Sequence, residues 1–179
     1  MSMKKHKSFF KILEFFDQDF INIEDVKNYL KISSDDDDKI IKQFLDSAIE
    51  SCENYSGLNL ISKKIEYLTN DFKADRVYLP FTPIKEILEI KAINNYSIVD
   101  YLEDFEIDKK NGIIFFQKYY FYIRLEVQAI VGFKDNNFIP KSLLQGILIH
   151  IGEMYDKGTF KGISEDLQKL YQPYKKVRI

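Results

Sequence analysis

The spacing of apolar residues changes character twice along this 179-residue chain. It is helical at the start, alternating through the middle and helical again toward the end. In the first stretch apolar residues fall at 9, 12, 13, 16 and 20. That period predicts a short amphipathic helix within an N-terminal arm, 1–20. Such a helix is too short to be stable alone and needs its own domain or a neighbouring subunit to pack on. A second short helix follows. Asn22 can cap it, Asp25 three residues on can answer the cap, and Val26, Tyr29 and Leu30 form its apolar face.

The clearest helical segment spans about 35–56. Ser33 or Ser34 can cap it, and Asp35, Asp36, Asp37 and Asp38 would fill its first turn, where carboxylates oppose the positive end of the helix dipole. Ile41, Phe44, Leu45, Ala48, Ile49, Cys52 and Tyr55 fall on one stripe, and Gly57 stands where a terminating glycine belongs.

Residues 63–133 read as strands. Ile65–Leu68, Val77–Leu79, Ile87–Ile93, Phe105–Ile107 and Ile113–Phe116 are short apolar runs separated by turn residues, including Pro80, Pro83, Asn94-Asn95 and Asp108–Gly112. The best strand is 121–131, where Phe121, Ile123, Leu125, Val127, Ala129 and Val131 alternate with a more polar set. Pro140 then opens a helix whose stripe is Leu143, Leu144, Ile147, Leu148, Ile151, Met154 and Tyr155. Ser164 caps a last short helix that Pro173 stops.

The expected fold class is therefore α+β: a long N-terminal helix, a small mainly antiparallel sheet, C-terminal helices and an extended tail. The expected organisation is an arm at 1–20, one domain at 21–172 and the tail at 173–179.

Charge adds a constraint. Lys+Arg total 26 against 28 for Asp+Glu, a net charge of −2. A protein that grips nucleic-acid phosphates usually carries a basic excess. Here that excess sits only at the ends, in Lys4, Lys5, Lys7 and Lys11 and in Lys175, Lys176 and Arg178. The single cysteine, Cys52, excludes an intramolecular disulfide and points to assembly in a reducing cytoplasm. No apolar run approaches the roughly 18 residues of a membrane span. Glu14 and Asp17 interrupt the apolar start, so it is not read as a signal peptide.

Candidate chemistry is sparse. His150 and Glu153 lie one helical turn apart but lack further ligands at metal-site spacing. A Cys52–His150 nucleophile pair is open, although Cys52 sits on a buried stripe. Asp35–Asp38 lacks the central glycine of a calcium loop. Asp100, Glu103, Asp104, Glu106 and Asp108 give no sign of converging. Phe115, Phe116, Tyr119, Tyr120, Phe121 and Tyr122, near Lys118 and Arg124, resemble a base-stacking platform. Two competing classes stay open: a nucleic-acid-binding module using the 115–124 aromatic hairpin and the basic termini, and a small hydrolase built on His150. No cofactor, metal or catalytic residue is expected.

The order of segments resembles a known family. Ile23–Ile32, the acidic run Asp35–Asp38, the helix ending Tyr55-Ser56-Gly57, Val77-Tyr78-Leu79-Pro80 with Pro83-Ile84, Val131-Gly132-Phe133, Ile139-Pro140 with Leu143 and Gln145, and Leu170 to Tyr174 with the basic tail follow one another. That succession resembles the head–tail connector (adaptor) proteins of long-tailed phages, over about 21–179. The 1–20 arm is outside the pattern, Gly146 stands where the family usually has Ala, and Asp156 stands where a basic residue is common.

The resemblance implies a structural virion protein and not an enzyme, made in the bacterial host cytoplasm and located in the virion neck. It implies a homo-oligomeric ring, twelve-fold in the virion, beneath the portal protein and next to a stopper or tail protein. DNA would pass through the lumen without sequence-specific binding, and no membrane is involved. The C-terminal segment would reach the portal, which makes Tyr174, Lys175, Lys176, Val177, Arg178 and Ile179 the candidate portal contacts. The long helix and the sheet would form the ring contacts, with Phe44, Glu50, Tyr55, Tyr122 and Arg124 as candidates.

Overall fold

The computed structural model describes residues 8–16, 21–133 and 136–176. The chain divides into two compact units, Met1–Asp17 with Ile61–Phe133, and Gln18–Leu60 with Lys134–Ile179.

The first unit is all β. It contains β1 (Ser8–Phe15), β2 (Lys63–Tyr78), β3 (Ile84–Ile93), β4 (Val99–Tyr101), β5 (Phe105–Asp108) and β6 (Ile113–Val131). These form one six-stranded sheet in the order β1-β2-β6-β3-β4, with β5 also paired to β6. Every pairing is antiparallel.

This overturns the expected layout. The fold is α+β but sheet-dominated: the sheet is not small, and the chain does not begin with a long helix. The arm holds a strand instead of an amphipathic helix. Residues 8–15 hold three Phe together with Ile12 and Leu13, and pairing Phe10 with Tyr67 and Ile12 with Ile65 satisfies their backbone groups against β2. A helix this short would have had little stability of its own.

The segments expected as separate short strands also merge. β2 runs 16 residues and β6 runs 19. Their ladder extends from Lys63↔Val131 to Tyr78↔Ile113 and is interrupted by a bulge between Ala74 and Arg76. Across it, two steps along β2 match five along β6, from Tyr120 to Phe115. Ile114 and Phe116 are buried before the bulge, Tyr120 and Tyr122 keep the same face inward just beyond it, and the buried set then passes to Leu125, Val127, Ala129 and Val131. The Tyr119 hydroxyl donates to the Lys73 carbonyl at 2.5 Å and braces the bulge. One apolar cluster within this unit joins those residues to Ile65, Phe72, Val77, Ile84, Ile90 and Ala92.

The second unit is helical: α1 (Ile23–Leu30), α2 (Asp38–Ser56), α3 (Lys141–Lys157) and α4 (Glu165–Tyr171), with a 3-10 turn at Gln172–Tyr174. The Asn22–Asp25 capping box forms as expected. Gly57 ends α2 at φ +74°, in the left-handed region that suits glycine. Ile41, Phe44, Leu45, Ala48 and Cys52 of α2 are buried, as are Leu143, Ile147, Ile151 and Met154 of α3. Burying each large side chain of this set is worth roughly 1.5–3 kcal/mol.

The acidic run acts differently from its expected role. α2 begins at Asp38, capped by Asp37 without a side-chain cap bond. Asp35 and Asp38 instead pair with Lys27, whose side chain is only 4% exposed. Asp37 accepts from the Tyr155 hydroxyl at 2.6 Å. A buried ammonium needs carboxylate partners, and this sequence places them eight and eleven residues downstream.

Two stability predictions follow from this unit. Gly146 lies under the fully buried ring of Tyr171, which an added Cβ would overlap. Alanine gains about 1 kcal/mol of helix propensity, but overpacking against a ring that cannot retreat costs about 1–3 kcal/mol. Gly146→Ala therefore lowers the urea midpoint, and in a Tyr171→Leu background the same alanine becomes neutral or stabilising.

The second concerns pH. The hydrogen bond from Lys27, and then its charge, hold the Asp35 carboxyl below its ordinary value of 3.8. A carboxylate so depressed contributes stability that is present above the unfolded value and lost as pH falls through the folded one. Lys27 is raised, first by its hydrogen bond to Asp35, so its contribution is complete below 10.5 and is lost as pH rises through its folded value. Asp35→Asn should lower stability at neutral pH and flatten the loss on acidification below about pH 4. Denaturant melts between pH 2 and 8 measure this.

Candidate functional site

In the second unit the C-terminal segment does not leave as a free extended strand. After the 3-10 turn, the Lys176 amide donates to the Ser56 carbonyl at 2.7 Å. The Tyr174 hydroxyl lies 2.8 Å from Ser142 Oγ on α3. The Lys175 ammonium sits 4.8 Å from the centre of the Tyr55 ring, which itself leans on Tyr171 at 6.2 Å. The left-handed turn at Gly57 opens the space, since a Cβ there would stand 3.2 Å from Lys176 Cβ. Of the candidate portal contacts, Lys175 and Lys176 are thus held at the end of α2 and Tyr174 at the start of α3. Val177, Arg178 and Ile179 lie outside the described residues.

The candidate ring contacts separate. Phe44 is 1% exposed and packs edge-on against Phe160 within its own unit, so its side chain has no surface to offer a neighbour. Glu50 is exposed on α2, and Tyr55 belongs to the C-terminal seat just described. Tyr122 and Arg124 belong to β6 in the other unit. Burial first, and then a hydrogen bond with Asp100, push the Tyr122 phenol up to about 12. Arg124 is ion-paired to Glu126 at 2.8 Å.

The aromatic segment of β6 sorts by face. Phe116, Tyr120 and Tyr122 form a run of rings with Phe72, at centroid spacings of 5.4–5.7 Å. Tyr119 and Phe121 are exposed, at 55% and 70%. The cations near these rings already have partners: Lys118 lies over Tyr120, and Arg76 over Phe115 while also pairing with Asp75.

The groups considered for catalysis are engaged in holding the fold. His150 is fully buried, with Nε2 2.7 Å from the Lys161 carbonyl oxygen. Burial alone would raise the Glu153 carboxyl, yet hydrogen bonds from Lys161 and Ser164, both at 2.9 Å, hold it below the ordinary range. Together they fasten the 158–164 loop to α3. Burial pushes the Cys52 thiol up to about 12, and the thiol faces Tyr171 rather than His150. No cluster of three or more His, Cys, Asp or Glu able to hold a metal occurs among the described residues. No described helix is long and apolar enough to cross a membrane.

Sequence reasoning missed the exposed apolar residues of β1. Phe9, Phe10, Leu13 and Phe15 are 39–63% exposed on an edge strand. Their composition was visible, but their period was read as helical.

Among the described residues, then, the C-terminal segment is seated on the helical unit, β1 leaves apolar side chains exposed, and the titratable groups considered above make internal hydrogen bonds. The chain belongs to the head completion protein family, which its sequence matches over residues 19–149. Its fold is that of a protein in the neck of an empty gene transfer agent (GTA) particle, computed with C6 symmetry. The TM-score is 0.77 at 14% identity, with 96% of this chain and 97% of that one covered. A protein of the native GTA virion gives a TM-score of 0.75 at 13% identity over 95% and 96% of the two chains. Another, from the native GTA neck computed with C12 symmetry, gives 0.68 at 13% identity over 96% and 97%. At these identities the likeness establishes the shared fold. A search of curated proteins finds no match.

The seat of the C-terminal segment can be tested directly. Tyr55→Ala removes the ring under Lys175 but leaves the Ser56 carbonyl. Hydrogen exchange at the Lys176 amide should then accelerate about two- to fivefold, the range of an exposed cation–π contact. Unchanged exchange would assign the whole restraint to the backbone bond.

Proposed function

We propose that this chain is a structural virion protein of the neck, joining the head of a phage-like particle to its tail. The family match over residues 19–149 carries the reading. It acts by shape: copies close into a ring, the ring extends the DNA channel, and its two ends meet different partners. The particles that hold the similar folds were computed with C6 and C12 symmetry, which supports a closed cyclic arrangement. A ring requires a heterologous contact, one face of each copy meeting a different face of the next.

In this reading the segment from Tyr174 onward is the portal-facing element. Its root is held between the end of α2 and the start of α3, so the residues that follow start from a defined place. A pre-set starting point lowers the ordering cost of docking. Glu50, Tyr55, Tyr122 and Arg124 serve the contacts between copies, while Phe44 supports α2 from within. The net charge of −2 suits a lumen that repels phosphate and lets DNA slide. The organisation that goes with this is an arm at 1–20, a connector domain at 21–172 and a docking tail at 173–179.

Deletion of the gene in a producing strain tests the role. Negative-stain images should show DNA-filled heads and free tails that fail to join. Complementation with the full chain restores joined particles, and complementation with a chain ending at Pro173 does not, although that shortened protein folds with a near-native melting temperature. Joined particles in the deletion strain would refute the proposal.

A further inference from the structure

β1 is an edge strand whose outer side pairs with no other strand among the described residues. Such an edge is a template for another strand, and folds usually blunt it with short length, Pro or dense charge. β1 is instead eight residues long and carries exposed Phe9, Phe10 and Phe15 around Lys11. It also lies ahead of the family match, which begins at residue 19.

The opposite edge of the same sheet is β4. It is short, three residues with Asp100 at its centre, but open: Val99, Tyr101 and the preceding Ile98 are 45–60% exposed. Charge also differs: Glu103 and Asp104 are exposed just after β4, whereas on β1 exposed Lys11, beside exposed Glu14, follows Lys4, Lys5 and Lys7 in sequence. The four pairings between β1 and β4 are all antiparallel, so the two edge strands run in the same direction. A second copy displaced along the sheet therefore brings its β1 beside the first copy's β4 in parallel.

We propose that β1 is the seam between copies of this chain, its outer edge meeting the β4 edge of the next copy so that one sheet continues into another. Main-chain pairing and the facing apolar side chains supply affinity, and the opposed charges fix which edges meet. Two different edges make a directional, heterologous contact, the kind a ring needs. The inference rests on the ring reading above and names the surface that closes it.

The test uses particles purified from the complemented deletion strain. Cysteine is placed at 11 or 13 on β1 together with cysteine at 99 or 101 on β4, and mild oxidation is followed by a non-reducing gel. Cys52 is buried with its thiol pushed up to about 12, so it stays silent. A ladder of covalent multimers, absent from each single-cysteine variant, supports the seam. Particles that contain the double variants and yield no ladder overturn the seam and leave the neck role standing. Absence of the protein from wild-type particles overturns both. Where a double variant fails to enter particles, charge decides: Lys11→Glu reduces incorporation about tenfold and Glu103→Lys restores it. Incorporation of Lys11→Glu at the wild-type level overturns the seam.

Discussion

The pairing of β2 with β6 is the constraint on which the first unit depends. It is the longest ladder among the described residues; β1, β3 and β5 attach directly to one of its two members, and β4 attaches through β3. β1 needs β2 in place, and β3 and β5 need β6. The partners are brought together from positions as far apart as 63 and 131. That closure carries a large entropic cost before any contact offsets it. The apolar cluster along the ladder supplies the offset, and it is why Leu125, Val127, Ala129 and Val131 show no exposed surface.

The helical unit rests on a different principle. Several of its polar groups are satisfied by one another. Lys27 has Asp35 and Asp38, Tyr155 has Asp37, and Glu153 has Lys161 and Ser164. These bonds tie helices to loops, and in the case of Lys27–Asp38 one helix to another. Groups that would look catalytic in a bare residue inventory are here fasteners. The same economy places the C-terminal residues, since Ser56 and Tyr55 at the last turn of α2 hold the backbone of one lysine and the ammonium of another.

Local chemistry was legible in the sequence wherever a residue acts on its near neighbours. The Asn22–Asp25 box, the Gly57 helix end, the Ser164 cap and the alternation of 125–131 appear where their patterns placed them, whereas Phe121 and Ile123, expected on the inward face, are 70% and 40% exposed. What could not be read was anything decided at a distance. Phe9 to Phe15 satisfy a helical period as well as a strand, and only the presence of β2 selects the strand. Asp35 looked like part of a helix first turn because the burial of Lys27 is a tertiary fact. The merging of short apolar runs into β2 and β6 depends on a bulge whose exposed Gln117 and Lys118 read as a break. The family's order of caps and turns was recoverable because those signals are local, whereas the surfaces that such a protein uses are not.

The bulge of β6 has an evolutionary corollary. On either side of it the two ladders keep separate registers: Ile114 and Val77 belong to one, Leu125 and Thr69 to the other. An added or lost residue among 117–119 would lengthen or shorten a protruding loop of backbone without sliding either half. The strand thus contains a splice point, where descendants of this gene can change length while both halves of the sheet stay in step.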